Sequence, residues 1–216
     1  KAAQGGDTAN VQGRFIAAKF DVFLFIGTYT PCSELGTTPT PARVRYDETL
    51  SAYIGRQQAL HPNIAIILGG DLNVAPEQSD VRFDARVKQP QERGIPTRKP
   101  HELTAFTKLL PTRGLKRAHP AREHQVPADT GPRTWTWEAQ RERNRSTPSP
   151  YPVAANLDHF VCSDRMLAGS TGADNTFEIT VVGTATIASN YGSDHRPILA
   201  KLQRAQTTKA PTSDVN

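Results

Sequence analysis

Short apolar runs along the first third of the chain predict β-strands at 14–20, 22–27 and 64–68. The second and third runs are apolar throughout, which is typical of central strands covered on both faces. Between them, apolar residues recur at helical spacing over 46–57, and this pattern predicts a helix that ends before Pro62. A strand, a helix and a second strand in this order indicate a parallel unit with a crossover helix.

The rest of the chain is predicted to be richer in strands. Residues 74–100 read as a long irregular loop, and 101–110 resume a helical pattern. Further strands are predicted at 134–137, 157–163, 177–182 and 197–202. The Arg- and Pro-rich insertion 139–156 is expected to be mobile, with no role assigned. We therefore predict an α+β protein with one domain over 1–203 and a polar tail over 204–216.

Composition narrows the class of protein. The chain has 216 residues, a hydrophobic content of 37% and a formal net charge of +5, which suits a globular protein with a polyanionic partner. Lys and Arg outnumber Asp and Glu by 11 to 4 over 81–124, which predicts a basic surface there. The two cysteines lack Cys-x-x-Cys spacing, so neither a zinc site nor a disulfide scaffold is indicated, and a reducing compartment fits best. No apolar run approaches the roughly 20 residues that span a bilayer, so no membrane partner is expected.

Carboxylate and imidazole side chains lie at the ends of predicted strands in three places. Asp71 lies in the segment 69–73 (Gly-Gly-Asp-Leu-Asn), Asp158 lies near the start of a strand, and Asp194 and His195 lie in 192–197 (Gly-Ser-Asp-His-Arg-Pro). Carboxylates and an imidazole at strand ends suit metal-assisted attack on a phosphate. We interpret the chain as a phosphodiester-cleaving hydrolase. The structural alternatives are an Asx turn at Asp71 and a buried hydrogen bond between Asp158 and His195.

From about Val11 to Leu202, these segments resemble the endonuclease/exonuclease/phosphatase superfamily, and in particular its exonuclease III-like branch of apurinic/apyrimidinic endonucleases. The similarity also includes 13–16 (Gly-Arg-Phe-Ile), 29–31 (Tyr-Thr-Pro), 43–47 (Arg-Val-Arg-Tyr-Asp) and 100–102 (Pro-His-Glu). The resemblance implies a four-layer α/β/β/α sandwich. Family members begin with a strand ending in Asn and later present a Glu metal ligand, and neither lies ahead of Gly13. The resemblance therefore implies a domain without its N-terminal portion, which would be a partner of this chain, or a divergent protein with an impaired metal site.

The resemblance also implies an activity. It is magnesium-dependent cleavage of double-stranded DNA 5′ to abasic sites in base excision repair, with Mn²⁺ as an alternative ion. A 3′-phosphodiesterase or exonuclease activity would accompany it, in the nucleus or another intracellular compartment that contains DNA. The alternatives are another phosphoesterase of the superfamily, such as a phosphoinositide phosphatase, a sphingomyelinase or an RNA-processing nuclease, and a non-catalytic nucleic-acid-binding remnant.

Individual roles follow from the resemblance. Asp71 orients or deprotonates the attacking water, Asp158 holds the ring of His195, and His195 faces the phosphate. The full catalytic set implied is Tyr29, Asp71, Asn73, Asp158 and His195. The metal ligands implied are Asp194, Asp71, Asn73 and His195. The DNA contacts implied are Cys32, Arg45, Trp135, Trp137 and Leu157.

Two departures from the family pattern bear on these roles. Cys32 stands where the branch usually has Asn, so one phosphate contact is in question. Ala155 and Asn156 stand where the family often has an aromatic residue and an Arg, which weakens the case for the same abasic-sugar pocket. We expect Trp135 or Trp137 to supply the aromatic face, with the other one in the core.

Overall fold

The computed structural model describes residues 13–33, 40–83, 97–118, 135–139, 152, 154–167, 179–186 and 193–204. The first five strands are β1 (Phe15–Lys19), β2 (Phe23–Thr28), β3 (Ala65–Asp71), β4 (Val81–Arg82) and β5 (Leu115–Arg117). They are followed by β6 (Trp137–Glu138), β7 (Ala154–Ala155), β8 (Asp158–Ser163), β9 (Ile179–Thr186) and β10 (Ile198–Arg204). Helix α1 spans Pro41–Leu60, and α2 spans Pro100–Thr104 and continues as a π-helical turn over Ala105–Leu109.

A five-stranded sheet in the order β1-β2-β3-β8-β5 forms the centre of the fold. Strands β2 and β3 are parallel and α1 connects them, which confirms the predicted strand-helix-strand unit. The other pairs in this sheet are antiparallel, including the pair of consecutive strands β1 and β2. Because β8 runs antiparallel to β3, the first residue of β8 lies beside the last residue of β3.

Alternation along the central strands divides the apolar side chains between the two faces of the sheet. One face, through Leu24, Ile66 and Val161, packs against α1 and the α2 region. The other face, through Ile67 and Cys162, packs against β9, which pairs with β10 in a second sheet. The described residues therefore form helical, sheet and sheet layers, and the fold is the predicted α+β sandwich.

A third, small sheet in the order β4-β7-β6 flanks the central sheet. Its strands are two residues long, and it encloses a separate apolar cluster that contains Ala75, Val81, Ala155 and Leu157. Strand β4 lies in the segment predicted to be an irregular loop, and β7 lies inside the predicted insertion. Strands this short carry no readable period, so the pattern of apolar residues did not reveal them.

The remaining differences concern element ends. Strand β5 was not predicted, and β9 extends four residues beyond the predicted end at 182. The last strand includes Arg204, which was assigned to the polar tail, whereas 205–216 lie outside the described residues. Among the described helices, none has the length and apolar character needed to cross a membrane.

Candidate active site

Two carboxylates meet where β3 ends and β8 begins. Asp71 is the last residue of β3 and Asp158 is the first residue of β8, and the two are opposite each other in the antiparallel register. His195, just before β10, places its Nδ1 2.9 Å from Asp158 Oδ2 and its Nε2 3.9 Å from Asp71 Oδ2. Three of the predicted site residues, distant in sequence, are therefore brought together.

The pKa values in this group are set by two partly buried carboxylates, Asp71 and Asp158, which lie on either side of the His195 imidazole. Burial and the neighbouring charge of Asp158 raise the pKa of Asp71 from 3.8 to about 6. The hydrogen bond from the ring to Asp158 raises the pKa of His195, with further contributions from the charges of Asp158, Asp71 and Asp194. A protonated His195 would neutralise only one of two ionised carboxylates, which would leave the group with a net negative charge.

The loop after β3 fixes the orientation of Asp71. The backbone N–H of Asn73 donates to Asp71 Oδ1 at 2.8 Å, which is an Asx turn. The side-chain amide of Asn73 donates to the carbonyl of Thr30 at 2.8 Å and to Asp71 Oδ2 at 3.1 Å. Asn73 adopts φ 46°, in the left-handed region that Asn tolerates. The Asx turn that was the structural alternative is thus present, and it aims the carboxylate at His195. Both amide donors of Asn73 are engaged within the protein.

A buried arginine joins this loop to the loop after β2. Arg43 is 2% exposed, and its Nη1 donates to the carbonyls of Pro31 and Asn73 at 3.2 and 3.1 Å. Its Nη2 donates to the carbonyl of Leu72 at 3.1 Å, and its Nε donates to Asp47 at 2.9 Å. The guanidinium therefore holds the Asp71 loop against the segment that follows Tyr29.

Arg43 was not among the predicted site residues, although the sequence pattern contains a signal for it. Arg43 lies at helical spacing with Tyr46, Leu50 and Ile54, which all face the core. A charged residue at a core-facing helical position needs buried hydrogen-bond partners. In this fold the backbone carbonyls of two loops at the site provide them.

The acidic group at the site differs from the predicted metal ligand set. Asp71, Asp158 and His195 offer ligand atoms within 4.8 Å of one another. Among the described residues, this is the group of His, Cys, Asp or Glu side chains that could hold a metal ion. Asp194 is not part of this group, and its carboxylate accepts the indole N–H of Trp137 at 3.2 Å. The two carboxylates of Asp71 and Asp158 are hard oxygen donors of the type that Mg²⁺ or Mn²⁺ prefers, so these residues fit a divalent cation.

Three of the predicted site residues are exposed to solvent, namely Tyr29, Cys32 and Arg45. Tyr29 is 48% exposed just beyond β2, and the Arg14 guanidinium lies 4.6 Å from the centre of its ring. Cys32 is exposed, and its thiol donates to the carbonyl of Ser33 at 3.4 Å. Arg45 is exposed on α1. All three side chains are placed where a ligand can reach them.

The predicted aromatic and apolar DNA contacts are less accessible. Trp135 is 5% exposed and Leu157 is 4% exposed, so each offers little surface to DNA. Trp137 is half-buried, packs on the small apolar cluster that contains Leu157 and faces Asp194. Of the two tryptophans, Trp135 is therefore the buried one and Trp137 is the one at the site.

Much of the described part of the basic segment 81–124 pairs its charge within the protein. Arg117 makes two contacts of 2.8 Å with the carboxylate of Asp80, and Lys116 lies 2.8 Å from Asp164. Lys99 is 1% exposed. The excess positive charge is therefore partly structural here, while 84–96 and 119–124 lie outside the described residues.

The curated proteins that are similar in sequence to this chain include apurinic/apyrimidinic endonucleases and a DNA repair nuclease. No protein-family model matches the chain. The chain is 23% identical over 215 residues to the DNA-(apurinic or apyrimidinic site) endonuclease of Plasmodium falciparum, covering 89% of this chain and 32% of that protein. It is 28% identical over 198 residues to the DNA repair nuclease APEX1 of Danio rerio, covering 90% of this chain and 53% of that protein. The chain thus spans about a third to a half of the length of these curated relatives.

The fold is also found among solved structures. The chain matches the 3′ phosphatase NExo from Neisseria, solved bound to a product DNA hairpin, with a TM-score of 0.55 and 19% identity. The match covers 88% of this chain and 65% of that structure. Sequence similarity to apurinic/apyrimidinic endonucleases and structural similarity to this fold coincide over most of the chain. The chain is therefore similar in sequence to apurinic/apyrimidinic endonucleases, which confirms the predicted resemblance, and it shares the fold of the Neisseria structure.

Proposed function

We propose that this chain carries the catalytic centre of a DNA repair phosphodiesterase that cleaves duplex DNA 5′ to abasic sites. The observation that carries the proposal is the convergence of Asp71, Asp158 and His195 at the adjoining ends of β3 and β8. The similarity to curated apurinic/apyrimidinic endonucleases supports DNA as the substrate. This activity would operate in base excision repair, in the nucleus or another compartment that contains DNA.

Asp71 is the group suited to orient and deprotonate the attacking water. In the absence of a bound cation, burial and the charge of Asp158 raise the pKa of Asp71 to about 6, which makes its carboxylate more basic than that of an ordinary Asp. The Asx turn with Asn73 holds one carboxylate oxygen, and the other lies toward His195. This arrangement provides a base whose direction is set by the backbone.

His195 is suited to stabilise negative charge on the phosphate. Its Nδ1–H donates to Asp158, which fixes the tautomer and favours the protonated ring. The Nε2–H of a protonated ring is then available to a phosphoryl oxygen. Tyr29, which is exposed beyond β2, would donate its phenol to the same phosphate.

Asp71 and Asp158 would hold the divalent cation, Mg²⁺ or Mn²⁺. When bound, this ion neutralises phosphate charge and acts as a Lewis acid. Asp194, predicted as a ligand, accepts the indole N–H of Trp137 through one carboxylate oxygen, and its other oxygen would be the one to approach the ion. The similarity to a 3′ phosphatase supports a second activity on 3′ ends, at the same site.

A substrate comparison tests this proposal. The purified protein is incubated with a duplex carrying one abasic analogue, with a nicked duplex bearing a 3′-phosphate, and with a phosphoinositide, each with Mg²⁺ or with EDTA. We expect magnesium-dependent cleavage 5′ to the abasic analogue, some release of 3′-phosphate and no turnover of the lipid. Preferential hydrolysis of the lipid would contradict the proposal in favour of another phosphoesterase, and DNA binding without cleavage in Mg²⁺ would indicate a non-catalytic protein.

A further inference from the structure

We propose that Thr136 is a positioning residue that sets Asp158 against His195, an inference that rests on the proposed function of that pair. Thr136 is 3% exposed and lies directly before β6. Its hydroxyl oxygen accepts the backbone N–H of Leu157 at 2.8 Å and the backbone N–H of Asp158 at 3.1 Å. The first residue of β8 is therefore anchored by a side chain from another strand region.

The backbone of the same residue holds the segment that carries His195. The carbonyl of Thr136 accepts the N–H of Arg196 at 2.7 Å. Trp137, the next residue, forms a bridge with the backbone of His195. Thr136 thus bonds to the backbone of Asp158 through its hydroxyl and to the backbone of Arg196, next to His195, through its carbonyl, so it links the two segments that form the 2.9 Å hydrogen bond between His195 Nδ1 and Asp158 Oδ2.

The hydrogen-bonding capacity of the hydroxyl is fully used. A threonine hydroxyl offers two acceptor positions and one donor. The two acceptor positions receive the N–H groups of Leu157 and Asp158, and the proton is directed to the carbonyl of Ala155 at 3.4 Å. Ser keeps a hydroxyl at the same position and can make the same three hydrogen bonds. Val has the shape of Thr but no hydroxyl, so it leaves the N–H groups of Leu157 and Asp158 without a partner.

Loss of the hydroxyl acts on the reaction through Asp158. Two unpaired N–H groups at the start of β8 favour a shift of the backbone that restores their hydrogen bonds, and the Asp158 carboxylate moves with it. The opposite strand end, which carries Asp71, has its own anchor in Arg43. We therefore expect the Asp158–His195 hydrogen bond to weaken while the rest of the sheet stays in place.

The test compares Thr136→Val with Thr136→Ser, and uses Thr49→Val as a matched control. Thr49 is an exposed α1 residue whose hydroxyl donates to the carbonyl of Arg45 at 2.7 Å, far from β8 in sequence. The first readout is the low-field proton resonance of the His195 Nδ1–H, assigned by its disappearance in His195→Gln. The second is kcat and KM on the abasic duplex.

We expect Thr136→Val to lose the resonance and to reduce kcat by about 100-fold with KM nearly unchanged, because a misplacement of about 1 Å has effects of this size. Thr136→Ser and Thr49→Val should keep the resonance and kcat within about threefold of wild type. A Val variant with an intact resonance, or a folded Ser variant without one, would overturn the proposal. Should Thr136→Val not fold, Thr136→Cys replaces it, and its weak sulfur acceptor should still weaken the resonance. A wild-type protein that shows the resonance but cleaves no abasic DNA would contradict the proposed function. The role of Thr136 in orienting Asp158 and His195 would then be tested by the resonance alone.

Discussion

His159, next to the active-site Asp158, makes the stability of this protein depend on pH in a way that can be worked out from the structure. The ring is 4% exposed, and its Nε2–H donates to the carbonyl of Val74 at 2.7 Å, at the end of the loop that carries Asn73. Burial, together with the positive charge of Arg117, lowers the pKa of His159 from 6.5 to about 4. The native protein therefore keeps this imidazole neutral.

The sign follows from proton binding. Below the ordinary pKa of 6.5 the unfolded chain protonates this histidine, whereas the folded protein does so only near 4. Between these values the unfolded state binds more protons, so the free energy of unfolding falls as the pH falls. The full effect corresponds to about 3 kcal/mol, and it is complete once the pH is below the folded pKa.

Urea unfolding of wild type and His159→Gln at about pH 7 and about pH 4.5 measures this effect. Gln keeps an N–H donor for Val74 but does not titrate. We expect the wild type to lose about 2 to 3 kcal/mol more than the variant between the two pH values, since the carboxylates titrate in both proteins. Thr49→Val, which changes no ionisable group, serves as a control and should lose as much as the wild type. Equal losses in the wild type and His159→Gln would refute the reasoning.

Two further predictions concern the backbone at the site and the DNA-binding charge. Gly70 has φ +135°, and a Cβ there would lie 2.2 Å from the carbonyl oxygen of Thr28. Gly70→Ala should therefore reduce the free energy of unfolding by about 2 kcal/mol or more, and it should also reduce the rate of DNA cleavage. Gly13→Ala is the matched control, because Gly13 shares a positive φ but nothing lies within 4 Å of its Cβ position; a loss as large as that at Gly70 would rule out the clash. The second prediction concerns Arg82, Arg86 and Lys88, neutralised together. In a salt titration of duplex affinity, the slope of log K against log salt should shrink by up to about 3, and the cleavage position should not move. An unchanged slope would show that these residues do not contact the DNA.

The local pattern of the sequence was sufficient for the centre of the fold. The apolar runs of β2 and β3 and the helical spacing between them predicted a parallel pair with a crossover helix, and the structure contains it. These elements are long enough to show a period of two or 3.6 residues. They also place Asp71 at the end of a central strand, where it was expected.

The composition of the site was harder to predict because it depends on pairing between distant segments. The register that sets Asp71 opposite Asp158 results from the antiparallel packing of β8 on β3. Asp194 and His195 are adjacent in sequence, but neighbouring side chains of an extended segment point in opposite directions, so Trp137 binds Asp194 while His195 faces Asp158. No local pattern distinguishes these two outcomes.

The effect of Asp71→Asn tests most directly whether the cluster of Asp71, Asp158 and His195 performs the chemistry. Single-turnover cleavage of a duplex with one abasic analogue is measured in Mg²⁺ together with the dissociation constant for the same duplex, using Asp164→Asn as the matched control at the Lys116 ion pair. We predict that Asp71→Asn cleaves at least about 100-fold more slowly and binds duplex within about threefold of wild type, because the substitution removes a base and also a charge that repels phosphate. Cleavage by Asp71→Asn at a rate close to that of wild type and Asp164→Asn would contradict the assignment of the active site.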